Sequence, residues 1–366
     1  MTARRYRALG LISGTSMDGI DAALVETDGE ALFARGPWLT LPYPDDLRRM
    51  LLEVARDEAA ASGPLPELEA RVTDANAATV REFLRRAGLT LRDIDLIGMH
   101  GQTVLHRPER RFTRQLGDGA RLAADLGVDV VDQFRLADVA AGGQGAPLVP
   151  LYHAALARDL PKPVCVLNLG GVANLTYIGD GPILAFDTGP ASALIDDWTA
   201  ERTGRPYDAG GALAARGRVH EARLARLLDS PYFARRPPKS LDRNAFARAP
   251  VEGLSVEDGA ATLTAFTARS VALALRHLPA PPARWLVAGG GRHNATLMAM
   301  LREALAAPVD PVETVGWNGD GLEAECFAFL AARSARGLPI SLPTTTGAPC
   351  PMTGGRLHPA DRAPPR

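Results

Sequence analysis

The chain has 366 residues, more than the ~250–300 at which a single hydrophobic core usually stops growing, so two domains or one large α/β unit is the starting expectation. At 46% hydrophobic and 23% charged residues it has the balance of a folded soluble protein and not of a disordered chain. Lys and Arg number 41 against 42 Asp and Glu, a net charge of −1, which argues against nucleic acid or a membrane as partner; aromatics, at 5%, are too few for a base-stacking platform.

Residues 8–12 and 20–25 are short apolar runs separated by Ser13-Gly14-Thr15-Ser16 and Asp18-Gly19, and they read as two strands joined by a tight turn. A helical pattern follows over 44–88, carried by Leu47, Leu51, Val54, Leu68, Val72 and Val80. Asp93–Gly98 leads into a buried strand that ends at Met99-His100-Gly101-Gln102-Thr103, and residues 128–131 give another strand. A glycine-rich connection, 140–150, precedes a helix candidate over 151–157. Residues 163–181 then repeat the opening design, an apolar run, a turn with Asn168, Gly170 and Gly171, and a second apolar run. The two hairpins lie about half a chain apart, which suggests two related α/β halves. Residues 285–298 are a strand, the triplet Gly289-Gly290-Gly291 and a helix; the tail from Leu342 reads as irregular surface chain.

Cys165, Cys326 and Cys350 form no C-x-x-C pair, so neither a disulfide framework nor a zinc site is expected. The opening residues do not read as a signal peptide and no run reaches 18 apolar residues, so the expected location is cytoplasmic, with no membrane partner.

Glycine turns after buried strands free backbone N–H groups to point one way, a nest suited to phosphate oxygens, to which Thr15 and Ser16 add hydroxyl donors. An ordinary hairpin is the bland alternative for any one of them; three such turns in one chain favour phosphate binding. Neither GxxxxGK[ST] nor GxGxxG is present, so this is not a P-loop or a dinucleotide fingerprint. Asp187 follows the apolar run Ile183–Phe186 and precedes Thr188-Gly189-Pro190, the strand-end position favoured for catalysis in open α/β sheets. It reads equally as a general base or as a cap for a helix beginning near Pro190. His100 reads as a substrate contact or a packed histidine, Glu323 as a substrate group or a favourable helix-start charge, and the basic run 235–239 as a solvated loop.

Together, LGLISGTSMDGIDAALV, MHGQTVLHRP, DVAAGGQGAPLVP, LNLGGVANLT, FDTGP, AGGGRHNATLM and GDGLEAECFAFLA, in order from residue 9 to about 333, resemble the anhydro-N-acetylmuramic acid kinase family of bacteria. The resemblance implies the sugar kinase/Hsp70/actin (ribonuclease H-like) fold, two related α/β domains with a nucleotide cleft between them. These would be residues 1–140, with hairpin 1, and 141–339, with hairpin 2, the catalytic Asp and the adenosine glycine motif, the tail 340–366 returning to the first. It implies ATP and Mg²⁺ as cofactors, 1,6-anhydro-N-acetylmuramic acid as substrate, and hydrolytic ring opening coupled to phosphorylation of O6; a homodimer is compatible with it. The family's catalytic aspartate falls on Asp187 and its substrate-side glutamate on Glu323, with His100 and Gln102 also on the substrate side. Nucleotide contacts fall on Gly14, Thr15, Ser16, Met17, Asp18, Gly19, Ile20 and Asp21, on Asn168, Gly170, Gly171 and Asn174, and on Gly289, Gly290, Gly291 and Asn294; Asp18 is also the metal ligand. The chain departs from the family's usual pattern at Ala191 and Ser192, at Leu136 and Ala137, and at Leu241–Asn244.

Overall fold

The structure, a computed structural model, describes residues 4–14, 16–241 and 246–360. It divides into two compact units, residues 1–156 with 321–366, and residues 157–320. The strands in chain order are β1 (Tyr6–Ser13), β2 (Gly19–Thr27), β3 (Leu32–Pro42), β4 (Leu96–Arg107), β5 (Phe112–Leu116) and β6 (Asp129–Asp132), then β7 (Val164–Leu169), β8 (Val172–Ile178), β9 (Leu184–Pro190), β10 (Arg284–Ala288), β11 (Val309–Pro311) and β12 (Arg356–His358).

In the first unit the sheet order is β12-β6-β4-β1-β2-β3, with β5 hydrogen-bonded to β4. β1, β4 and β6 run parallel, while β2 is antiparallel to both its neighbours. β1 is buried at nearly every position, as a central strand covered on both faces must be. β3, absent from the sequence reading, is the opposite case: most of its residues are exposed, and it slips register opposite Leu24, where Gly36-Pro37 falls. An edge strand tolerates both the proline and the break, and its polar outer face hides the alternation that a reader looks for.

The second unit repeats the plan with order β11-β10-β7-β8-β9, in which the second strand of the hairpin, β8, is antiparallel to both its neighbours as β2 is. Its core joins Leu167, Leu175, Phe186 and Val287 from the sheet to Ala268, Val271 and Leu301 from helices Val256–Ala274 and Ala295–Ala304. The duplication suggested by the hairpins is thus present as strand order and sense in each unit.

The unit boundaries differ from the expected 140/141 and 339/340, because helix Leu322–Ala335 lies on β1, β2 and β4. Two glycines permit this. A Cβ on Gly10 would stand 1.9 Å from Ala324 O, and one on Gly98 would stand 2.1 Å from Phe327 O. Gly10 and Gly98 are register partners on β1 and β4, so the helix backbone rests against a smooth two-glycine strip.

The tail is not irregular surface chain. Residues Pro343–Thr346 form a helical turn with Thr345 and Thr346 buried, and β12 pairs antiparallel with β6. Buried Asp138 gathers it in: Thr346 Oγ1 donates to Asp138 Oδ2 at 2.6 Å, Ser341 Oγ donates to the same oxygen, and Gly145 N–H donates to Oδ1 at 2.7 Å. One carboxylate therefore sets both the tail and the glycine-rich segment 140–148.

Candidate active site

Hairpin 1 turns between β1 and β2. Met17, buried, takes the left-handed conformation at φ 53° and its N–H donates to Gly14 O at 3.2 Å. That turn is set from below by Gln102: Ser13 Oγ donates to Gln102 Oε1 at 2.6 Å, and Gln102 Nε2 donates to the oxygens of Gly14 and Thr103, each at 3.2 Å. Gln102 is fully buried with its amide hydrogen-bonded at both ends, so it shapes the hairpin. Ser16 and Asp18 are exposed and linked, Oγ to Oδ1, at 2.8 Å. A Cβ on Gly14 would meet nothing nearer than Ser16 Oγ at 3.6 Å, whereas one on Gly19 would strike Leu41 O at 2.5 Å. Gly19 is thus fixed by the neighbouring strand β3; Ile20 is core, and Asp21 accepts from Thr40 Oγ1 at 2.5 Å. Thr15, expected as a phosphate donor, lies outside the described residues.

His100 is buried in the same unit. Arg135 Nε donates to its Nε2 at 2.9 Å, so the ring proton is on Nδ1, which donates to Gly101 O at 2.9 Å. Loss of water and then the Arg135 charge hold His100 neutral, well below its ordinary range. His100 is thus a packed histidine that steers Arg135, whose NH1 also donates to Gly145 O at 2.7 Å. Glu323 opens helix Leu322–Ala335 and solvent still reaches it, yet crowding by protein, then the Asp21 carboxylate, pushes its pKa up, partly offset by Arg135. Of the departures, Leu136 is exposed.

In the second unit Asn168, Asn174 and Asp187 are register partners across β7, β8 and β9 and so share one sheet face. The next row, Leu167, Leu175 and Phe186, belongs to the core on the other face. A break in register after Ala173 leaves Thr188 as the extra residue of a bulge and turns Asp187 onto the polar face. The strand runs on to Pro190, so Asp187 is inside β9 and not at its end, contrary to the sequence reading. Helix Ser192–Thr203 starts at Ala191 with no side-chain cap, so Asp187 is not its cap. The N–H groups of Ala191 and Ser192 instead donate to Gly171 O and Gly170 O at 3.0 and 2.9 Å, which orients hairpin 2.

Packing requires glycine at two of the triplet's three positions. Gly289, at φ 76°, lies against Asn168 Oδ1 and Leu169 O; Gly291 lies against Leu169 Cβ; a Cβ on Gly290 would meet nothing within 4 Å. Arg292, buried and unremarked in the sequence, braces the turn by donating to Gly289 O, Glu313 Oε1 and Asp320 Oδ1 at 3.0, 2.9 and 2.7 Å. Asn294 caps helix Ala295–Ala304 through Oδ1, which accepts from Leu297 N–H at 2.9 Å.

Asp187 Oδ2 accepts from Leu241 N–H at 2.7 Å, its own N–H donates to Lys239 O at 3.0 Å, and its carbonyl accepts from the Tyr232 phenol OH at 2.6 Å. Burial raises its pKa to about 7, against the pull of the Leu241 hydrogen bond and the Lys239 charge. Lys239 belongs to the run expected to be a solvated loop; it is 5% exposed. Tyr232 carried no motif in the sequence and Leu241 stood out only as a departure from the family's pattern; their fold-back onto β9 makes them part of the site.

A five-stranded core of one antiparallel hairpin and three parallel strands, present in each unit and carrying a glycine turn, defines the sugar kinase/Hsp70/actin class of folds. The component A of (R)-2-hydroxyglutaryl-CoA dehydratase from Acidaminococcus fermentans has a similar fold, at TM-score 0.50 and 13% identity over 90% of this chain and 98% of that one. The family model for anhydro-N-acetylmuramic acid kinase matches residues 6–360. The anhydro-N-acetylmuramic acid kinases of Rhizorhabdus wittichii and Acidiphilium cryptum are 54% and 56% identical to it, each over 96% of this chain and over 98% and 97% of their own lengths. That of Rhodospirillum rubrum is 56% identical over 96% of this chain and 94% of its own. The chain belongs to the anhydro-N-acetylmuramic acid kinase family.

Proposed function

We propose that the chain uses ATP to convert 1,6-anhydro-N-acetylmuramic acid and water into N-acetylmuramic acid 6-phosphate and ADP, in the cytoplasm, as a step of cell-wall recycling. The observation that carries the chemistry is Asp187, a carboxylate with its pKa near 7 and one oxygen engaged by Leu241 N–H. Such a group is poised to take a proton near neutral pH. Asp187 removes a proton from water as the water oxygen bonds to the anomeric carbon and the bond from that carbon to O6 breaks. O6 then attacks the γ-phosphorus of ATP, and the bond from that phosphorus to the β,γ-bridging oxygen breaks to release ADP.

Phosphoryl transfer asks the protein mainly for position and charge neutralisation. Gly14, Ser16 and Asp18 form the phosphate-side turn of the first unit; Gly170 and Gly171, beside Asn168 and Asn174, form that of the second. Gly290 is the open glycine of the adenosine-side turn, and Glu323 is the sugar-side acid. Among the described residues no group of three or more His, Cys, Asp or Glu could hold a metal ion. Exposed Asp18 nonetheless fits Mg²⁺, which is commonly bound by one or two carboxylates together with substrate phosphates. When bound, Mg²⁺ offsets negative charge on the phosphates.

Incubation with ATP, Mg²⁺ and the anhydro sugar in ¹⁸O-water, read by mass spectrometry, tests the reading. One ¹⁸O at the anomeric position of a sugar 6-phosphate is the expected product; phosphorylation of an ordinary hexose but not of the anhydro sugar would overturn it.

A further inference from the structure

The segment 231–241 leaves the body of the second unit and folds back onto β9, where it meets Asp187 at three atoms. Tyr232 OH donates to Asp187 O at 2.6 Å, Lys239 O accepts from Asp187 N–H at 3.0 Å, and Leu241 N–H donates to Asp187 Oδ2 at 2.7 Å. These contacts fix the Asp187 backbone from both sides and engage one carboxylate oxygen, while Oδ1 receives no hydrogen bond from any described residue.

What ties the two ends of the segment together is the ammonium of Lys239. It donates to Tyr232 O at 3.1 Å and Phe233 O at 3.5 Å, over the Tyr232 ring at 4.5 Å from its centroid and 5.7 Å from that of Phe186. Phe186 is the residue before Asp187, so the ammonium touches both the clamp and the strand that it clamps. A lysine at 5% exposure, with only carbonyls and ring faces as partners, gives up most of its hydration.

We propose that segment 231–241, closed by the buried ammonium of Lys239, is the positioning device of the site: it holds Asp187 with Oδ2 occupied and Oδ1 turned to the proton it must take. Lys239 touches neither substrate nor phosphate in this role. It acts through Asp187, by geometry and by favouring the ionised carboxylate. The inference rests on Asp187 being the general base. The other titratable or charged groups around the pair are Tyr232 and Arg235 from the 231–235 turn, and Arg276 and His277 from the end of the helix behind it. Arg235 and Arg276 repel the Lys239 ammonium and Asp187 attracts it, so the clamp is held against opposing charge.

The test is Lys239→Met in the full-length chain, assayed for kcat against pH, KM for ATP and thermal unfolding, with Asp187→Asn as control. Loss of the clamp predicts a fall in kcat of about 10²-fold, the size that small misplacements of a catalytic group produce, with KM for ATP unchanged. The acidic limb of the kcat profile should also move to higher pH, because the cation that favours ionised Asp187 is gone. A purely structural lysine would lower the unfolding temperature and leave that limb in place, and this result overturns the proposal. Tyr232→Phe removes the phenol contact with the ring kept over Lys239; it should lower kcat several-fold at unchanged ATP affinity. Unchanged kcat in Tyr232→Phe overturns the clamp even where Lys239→Met does not fold. An active Asp187→Asn would instead remove the base assignment itself, whatever the two clamp variants do.

Discussion

A carboxylate that works as a base near neutral pH must be held where its charge is unwelcome, and Asp187 meets that condition. Its ionised fraction rises through about pH 7, so kcat should rise with pH over the same range and level off above it. Stability runs the other way. An acid whose folded pKa is raised above its unfolded value binds protons more tightly when folded, so its contribution is fully present below the unfolded value and lost as pH rises through about 7. Asparagine keeps the shape and an oxygen for Leu241 N–H but never ionises. Asp187→Asn should therefore lose about 10²–10⁴-fold in turnover, keep its ATP affinity, and melt above the parent protein at pH 8, with the difference shrinking toward pH 5. Turnover, calorimetric ATP binding and melting curves at the two pH values check all three; near-normal turnover would sink the base assignment. The carboxylate was legible in the sequence as a candidate, level with a helix cap. The structure separates the two because Ala191, four residues on, is where the helix starts.

Glycines show at the level of the element why residue type alone does not reveal a role. Gly10 lies in β1 under a helix backbone, and Gly14 lies four residues on in a turn with open space where a side chain would be. The same change to valine should therefore give opposite outcomes. Gly10→Val forces Leu322–Ala335 off the sheet, and urea unfolding should show a loss of at least the ~1–3 kcal/mol typical of overpacking. Gly14→Val meets no protein atom closely, so its unfolding midpoint should stay close to that of the parent while ATP affinity falls sharply in calorimetry. Unchanged ATP affinity would remove Gly14 from the phosphate-side turn. The strands with buried, apolar runs were readable in the sequence; β3, β5, β11 and β12 were not, since edge and tail strands owe their existence to a partner's unpaired edge and not to their own pattern.

For the molecule as a whole, the first unit is assembled from the beginning and end of the chain, and Asp138 is where these ends are joined. Asp138→Ala would leave Gly145 N–H and the Ser341 hydroxyl without their acceptor, at ~1–3 kcal/mol for each buried donor so stranded, and would leave Thr346 Oγ1 only its longer bond to Leu342 O at 3.3 Å. The expected result is a large drop in unfolding midpoint and early proteolytic cleavage after residue 335 or within 140–148; cleavage at the parent's rate would show that the tail is held by other contacts.

By itself the sequence determined the class of fold, the family, the three glycine turns and the candidate base, because each is written in contiguous residues: an apolar strand, a turn that needs glycine, a polar residue after it. Tertiary structure decided the rest. It set His100 against Arg135 and Gln102 beneath Gly14, returned residues 321–360 to the first unit, and drew Tyr232, Lys239 and Leu241 around a carboxylate some 45 to 54 residues earlier in the chain. The physical reason is common to all three. Local pattern records which face of an element is apolar, whereas a hydrogen bond to a buried group records which distant segment arrives there, and no spacing along the chain encodes that arrival.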